Sequence, residues 1–446
     1  MRVRKLRFPL PRWCDPETAY VALYGDRTNV VWLDSGINAS DGFSYLGEAS
    51  RVASGGTMPG SVFDFLRTEL ADTSIDAEAG GPGFALGWVG WLGYELRFDT
   101  LALERTRSSR YPDSALLYLD RAIEFDHGTG TVSLIALGTH WDEELGQWAQ
   151  SVMATLANAP APPELVPPTR SASGSWRYSD SEYLKMIAEC QAAIAEGEAY
   201  QLCLTTEYTL DGKIDPVTTY RALRAASPAH HGALLRINGV SLLSSSPEVF
   251  LTVTPEGDIR SLPIKGTRPR GVTQQEDAAL AAELIGSDKE RAENLMIVDL
   301  MRNDIGRVSA LGSVTVPSLL AVETYPHVHQ LVSTVQGKLR ADLSAVDAVE
   351  ACFPAGSMTG APKRNATVIL DRLEARARGI YSGAFGYFAA DGRIELAMVI
   401  RSIVIDDTGA TVGSGGGITA LSDPAAELDE VRLKAAVLLS VLGVER

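Results

Sequence analysis

Three cations crowd into one short run, Pro263-Ile-Lys-Gly-Thr-Arg-Pro-Arg-Gly271, in which Lys265, Arg268 and Arg270 are separated only by Gly, Thr and Pro. Arginine forks can grip carboxylates through paired hydrogen bonds, and a lysine whose pKa falls can act as a base or nucleophile. Gly266 and Gly271 flank the cations and let backbone approach a ligand closely, which favours an anion site over a merely solvated basic loop. A second set of groups is acidic. Glu427, Glu430 and Lys434 recur at helical spacing and share one face, and Glu290 and Glu293 lie three apart in the run 289–304. Two helices offering carboxylates could hold one Mg²⁺, which takes few protein oxygens and keeps places for water and an anion. From spacing alone, ion pairs decorating an exposed face account for the pattern better. A third run, Val412-Gly-Ser-Gly-Gly-Gly-Ile-Thr419, precedes Ser-Asp-Pro, with Pro424 suited to the first helical position. Its N–H groups could cradle an oxyanion, but no Gly-Lys-Ser/Thr follows, and by itself the run reads as a tight turn. His327 and His329 alternate as on a strand; with no Cys or third His nearby, zinc is not expected.

These groups need elements to position them. Ser179 to Glu198 reads as an amphipathic helix opened by a capping box, followed by strands over 201–210, 233–237, 240–244 and 249–253. Helices are expected over about 274–285, through KERAENLMIVDLMRND and at PAAELDEVRLKAAVLLSVL, with IYSGAFGYF and IELAMVIRSIVI as strands. Before residue 158, the runs YVALYG, NVVWLDS, SALLYLD and TVSLIALG read as β-rich and SVFDFLRTEL as helical. The Pro-, Ala- and Ser-rich stretch 158–175 reads as a linker between an N-terminal region, 1–157, and a C-terminal region, 176–446. The expected class is α+β.

Composition bounds the partners. The 446 residues are 45% hydrophobic and 22% charged, the balance of a chain that buries a sizeable core, and the formal net charge is −16. Such a surface repels nucleic-acid phosphates and anionic membranes, so an anionic substrate needs a locally positive site. The four cysteines are scattered without a CxxC pair, no run is apolar enough to span a membrane, and the basic N-terminus lacks a signal-peptide core. A cytoplasmic location is expected.

Taken together, the runs SSSPEVF, PIKGTRPRG, ERAENLMIVDLMRNDIGRV, FPAGSMTGAPKRNA, GAFGYF, ELAMVIRSIV and GGGITALSDPAAELDEVRLKA resemble the chorismate-utilising enzymes. That family includes anthranilate synthase component I, aminodeoxychorismate synthase component I, and isochorismate and salicylate synthases. The resemblance covers Gln201 to Ala436; the N-terminal part is more loosely similar, with VVWLDS like a segment that forms a tryptophan pocket in some members. It implies a large fold of packed, mainly antiparallel β-sheets flanked by helices.

The resemblance also implies a site. Aminodeoxychorismate synthases typically carry Lys where Lys265 stands, and the other branches Ala, which points to amination at ring C4. Lys265 would add to C2 while Glu248 protonates the departing hydroxyl. Glu293 and Glu430 would hold Mg²⁺, with Glu290 and Glu427 as nearby acids. Thr267, Arg268, Tyr387, Arg401, Gly415, Gly416, Gly417 and Lys434 would bind substrate, Tyr387 and Arg401 taking the enolpyruvyl carboxylate. Arg268 and the metal would help keep Lys265 neutral. Gln330 stands where many relatives have His, and cannot exchange a proton. Nothing in the chain resembles a glutamine amidotransferase, so a separate glutaminase partner supplying ammonia is expected, with chorismate as substrate and tryptophan as a ligand of the N-terminal region.

Overall fold

β-Branched and aromatic runs with one or both faces apolar pair into two large sheets in a computed structural model that describes residues 3–73, 75, 81–165, 174–325 and 328–444. The twelve-stranded sheet runs in the order Arg4–Pro9, Thr131–Gly138, Arg121–Asp126, Phe43–Glu48, Val30–Asp34, His231–Ile237, Val240–Ser246, Ser402–Ile405, Gly409–Ile418, Gln201–Asp211, Gly360–Ala361, with Gly174–Trp176 also pairing with Gln201–Asp211. The ten-stranded sheet runs Ile264–Pro269, Val328–Lys338, Asp258–Ser261, Val249–Val253, Ile394–Met398, Ala384–Ala389, Gly87–Leu92, Ser114–Leu119, Arg51–Ser54, with Thr315–Thr324 also pairing with Val328–Lys338. Every strand pairing among the described residues is antiparallel. The class is α+β.

The sheets face each other across a core that includes Val31, Leu235 and Val404 from one and Val89, Trp91 and Phe385 from the other. Helices cover the outer faces. Pro16–Tyr24, Glu143–Ala157, Pro216–Ala226 and Pro424–Val441 pack on the larger sheet, and Val62–Asp72, Asp288–Gly306 and Ala345–Cys352 on the smaller. Capping chemistry sets several helix starts. Ser179 and Glu182 form a capping box ahead of Asp180–Ala195, and Asp423 caps Pro424–Val441 with proline in its first turn. The four cysteines are free thiols.

Three sequence expectations are corrected. YVALYG is helical, because Asp15 caps a helix begun by Pro16 and Ala19, Tyr20 and Tyr24 pack inward. The glycine run at 412–419 is not a turn but the second half of strand Gly409–Ile418, paired residue for residue with Gln201–Asp211. The regions on either side of 158–175, of which 166–173 lies outside the described residues, are not spatially separate. Val30–Asp34 pairs with His231–Ile237, and Gly87–Leu92 with Ala384–Ala389, so both regions build both sheets.

Two buried ion pairs tie helices to the region that carries the site. Lys363 donates to Asp304 and to Cys352 O (2.8 Å), and Arg378 pairs with Glu374 at 2.6 Å while donating to Met358 O (2.7 Å) and Cys203 O (2.9 Å). Removing one partner of such a pair strands a charge and costs roughly 3–5 kcal/mol. No helix among the described residues is long and apolar enough to cross a membrane.

Candidate active site

At two of the points where the chain passes from one sheet to the other, a charged residue stands at the crossing. Glu248 lies between Val240–Ser246 of the larger sheet and Val249–Val253 of the smaller, and Arg401 between Ile394–Met398 and Ser402–Ile405. The two crossings are tied by hydrogen bonds from Met398 N to Glu248 O (3.0 Å) and from Ser245 N to Arg401 O (3.1 Å). Arg401 has a left-handed backbone, φ +48°, a conformation that costs a non-glycine residue about 1–3 kcal/mol and persists where surrounding structure imposes it. Glu248 is 9% exposed; burial pushes its carboxyl above the ordinary glutamate range, against the pull of Lys265, a Ser357 hydroxyl and the Ile264 N–H. Arg401 lies close enough to Glu248 for their charges to interact.

Lys265 is aimed by a bulge. Strand Ile264–Pro269 pairs with Val328–Lys338 at Ile264↔Val332 and again at Thr267↔Gln330, and the register slips between them. Gly266, at φ +83°, absorbs the slip, and a side chain there would press on Leu284 and Glu290. Burial opposes charge on Lys265, but Glu293, Glu248 and Glu430 outweigh it and hold the ammonium above its ordinary pKa. In the metal-free chain Lys265 is therefore a cation, and the expected help from Arg268 is missing. Arg268 forks onto Glu283 at 2.8 and 2.9 Å and reaches Glu290 only at 3.5 Å. Arg270 likewise forks onto Asp277.

The two acidic helices meet beside Lys265. Glu293 and Glu427 are buried, while Glu430 is exposed and pairs with Lys434 at 2.7 Å, which in turn donates to Gly415 O at 3.0 Å. The glycines make room for this meeting. A Cβ on Gly416 would stand 3.0 Å from Glu427 Oε2, and one on Gly417 would stand 2.2 Å from Gln201 Nε2 and 3.7 Å from Glu293 Oε2. Their absent side chains, more than a backbone cradle, are what this strand contributes.

Comparison with known proteins bears on what this arrangement serves. A model of chorismate binding enzymes matches residues 28–440. A relative from Streptomyces pristinaespiralis named aminodeoxychorismate synthase is 44% identical over 96% of this chain and 64% of its own length. A relative from Mycobacterium tuberculosis named anthranilate synthase component 1 is 35% identical over 90% of this chain and 81% of its own. Among solved structures, anthranilate synthase component I from Streptococcus pneumoniae superposes with a TM-score of 0.77 at 27% identity, over 95% of this chain and 97% of that one. The chain belongs to the chorismate-binding enzymes. It spans just under two thirds of the length of the Streptomyces relative.

In this chorismate-binding enzyme the expected site residues do not all converge. Glu248, Lys265, Glu293, Glu430, Lys434 and Arg401 are linked by contacts or charge interactions. Glu427, Glu290 and Gly415–Gly417 adjoin them, and exposed Thr267 and half-buried Arg268 lie at the margin. Tyr387 does not join them. Strand alternation turns Phe385 and Tyr387 toward the core between the sheets, where the Tyr387 hydroxyl donates to Glu395 at 2.8 Å. It lines a separate cavity of about 270 Å³ with Leu33, Asp34, Ser35, His231 and Glu395, the place of the VVWLDS run. The tyrosine beside Cys203 and Gly413 is Tyr381.

His329 is committed to Asp277 (2.8 Å) and Thr324 (2.9 Å), and His327 lies outside the described residues. Gln330 is buried opposite Thr267. Four residues beside the site went unremarked in the sequence: Gln201, Cys203, Lys289 and Ser357. The strand signal at 201–210 implied that 201 and 203 share a face, but not that this face meets Lys265.

The donor set suits a hard cation, being all carboxylate. Among the described residues no three acidic, His or Cys side chains already converge on one point, but Mg²⁺ needs only one or two carboxylates when water and an anionic ligand complete its shell. The cation now between the acids is Lys289, whose Nζ lies 3.0 Å from Glu427 Oε1 and 3.9 Å from Glu293 Oε1. The residues therefore fit the metal, provided Lys289 yields.

Proposed function

We propose that the chain aminates chorismate at ring C4 to give 4-amino-4-deoxychorismate, with Lys265 as a transient covalent nucleophile. The observation that carries this reading is a lysine enclosed with a buried, protonatable Glu248 on one side and metal-suited carboxylates on the other. Neutral Lys265 forms a bond to C2, the ring double bonds shift, the C4–O bond breaks, and Glu248 gives its proton to the leaving hydroxyl as water departs. The adduct nitrogen hands its extra proton to the Glu248 carboxylate, which returns it as ammonia attacks C4 and the C2–N bond breaks, so the lysine leaves as a neutral amine and the new C4 ammonium sheds its proton afterwards. Arg401 and Lys434 supply the positive charge that a dicarboxylate needs inside a chain of net charge −16.

Glu293 and Glu430 would hold Mg²⁺, with Glu290 and Glu427 nearby, and the bound ion would neutralise the ring carboxylate. A glutaminase partner is proposed as the ammonia source, and tryptophan as a ligand of the separate cavity. The relative named aminodeoxychorismate synthase supports amination; the relative named anthranilate synthase component 1, more fully covered, keeps elimination of pyruvate as the second reading. Product analysis decides between them. Chorismate, Mg²⁺ and ammonium should give aminodeoxychorismate without pyruvate, whereas anthranilate plus pyruvate would establish the second reading.

A further inference from the structure

Lys289 stands in the first turn of Asp288–Gly306 and bridges the two helices that carry the acids. Its Nζ donates to Glu427 Oε1 at 3.0 Å and lies 3.9 Å from Glu293 Oε1 one turn further along its own helix. The Glu427 and Glu293 side chains are 3% and 9% exposed, whereas that of Lys289 is 39% exposed. Glu427 is further fixed by the Ser422 hydroxyl at 2.7 Å. Two buried carboxylates side by side need nearby positive charge; Lys265 faces Glu293 from within the site, and the flexible ammonium of Lys289, reaching in from the rim, is the cation placed between Glu293 and Glu427. A lysine on a four-carbon stem can leave as easily as it entered, because its head is half in water and regains hydration and rotamer freedom outside.

We propose that Lys289 is a displaceable internal counter-ion. It holds the Glu293 and Glu427 side chains in place in the metal-free chain and is expelled when a divalent cation binds Glu293 and Glu430 beside Glu427. This rests on the proposed metal-binding role of those carboxylates. The consequence is competition. The site stays folded when empty, and its affinity for metal is held down until an anionic substrate adds its own oxygen to the ion's shell. Lys289 thereby acts as a positioning residue whose departure is part of loading the site.

The test measures metal binding to the full-length chain without chorismate, using Mn²⁺ as the probe and the electron paramagnetic resonance signal of free Mn²⁺ as the readout. Lys289→Gln should tighten Mn²⁺ binding on the order of fivefold, as expected when one half-exposed charge pair no longer competes. Lys289→Arg, which keeps a competing cation, should bind no more tightly than the parent chain. Metal-free Lys289→Gln should also melt lower than the parent, and Mg²⁺ should raise its melting temperature by more, a rescue that a purely structural lysine would not show. Unchanged or weaker Mn²⁺ binding in Lys289→Gln, with binding lost in Glu427→Gln, would overturn the counter-ion while leaving the metal site standing. Normal Mn²⁺ binding in both Glu427→Gln and Glu293→Gln would remove the metal reading and the inference with it.

Discussion

In the proposed reaction Lys265 and Glu248 react as a neutral amine and a protonated acid, so the productive pair holds one proton in total. Burial raises Glu248 and the surrounding carboxylates raise Lys265, so the pair keeps this one-proton stoichiometry over a wide pH range. At low pH both sites are protonated and the amine cannot attack; at high pH both are bare and no acid remains. The expected kcat profile at constant free ammonia is a bell, with its acid limb above the ordinary glutamate range and its alkaline limb at or beyond the lysine range. Glu248→Gln should abolish the alkaline fall and lower the maximum by roughly 10²–10⁴-fold, the usual worth of a general acid. Persistence of the alkaline fall in that variant would remove Glu248 from the proton inventory. Lys265, Glu248 and Glu293 stand in runs that carry the family resemblance, and the structure brings these three residues together. Tyr387 was misplaced, since its residue type fits a substrate contact while its side of the strand is set by pairing across the sheet.

At the scale of elements, local chemistry spoke clearly where it was sufficient. The box at Ser179 and Glu182, and Asp423 before Pro424, fixed helix starts that the structure shares. Context overrode propensity elsewhere, as where Tyr20 and Trp32 stack at 5.1 Å and draw YVALYG into a helix. Gly415–Gly417 reversed in the opposite sense, reading as a turn and forming a strand because Cys203, Leu204 and Thr205 pair with them. The bulge that aims Lys265 is likewise invisible locally, since it is a mismatch between two strands about 65 residues apart and no property of either. The strand's empty space yields a direct expectation. Gly417→Ala should keep the melting temperature within a few degrees yet reduce kcat/KM at least tenfold, because the methyl takes the place of Gln201 Nε2 beside Glu293. Normal turnover in Gly417→Ala would show that the carboxylate and amide have latitude the account denies them.

For the molecule as a whole, strands distant in sequence share both sheets. Periodicity exposed the strands and the α+β class but carried no information on which strand would lie beside which, because pairing partners such as Trp32 and Leu234 are set by the assembled core. A linker was therefore read as a domain boundary. The architecture implies that residues 176–446 alone, deprived of Val30–Asp34 and Gly87–Leu92, leave apolar sheet faces bare. That fragment should bind a hydrophobic dye and unfold without a cooperative transition. Cooperative unfolding with retained chorismate affinity would mean that the C-terminal region has its own sufficient core. The acidic surface also belongs to this scale, since in a chain of net charge −16 an anionic substrate needs local positive charge, and Lys265, Arg401 and Lys434 are grouped around Glu248.

The most direct test of the central claim is the mass of the peptide bearing Lys265 after acid quench during turnover with chorismate, Mg²⁺ and limiting ammonia. The expected result is a fraction of that peptide heavier by chorismate less one water, chased away by added ammonium and absent from Lys265→Ala. Rapid amination with no adduct on Lys265, and with Lys265→Ala still active at a comparable rate, would contradict covalent catalysis by this lysine.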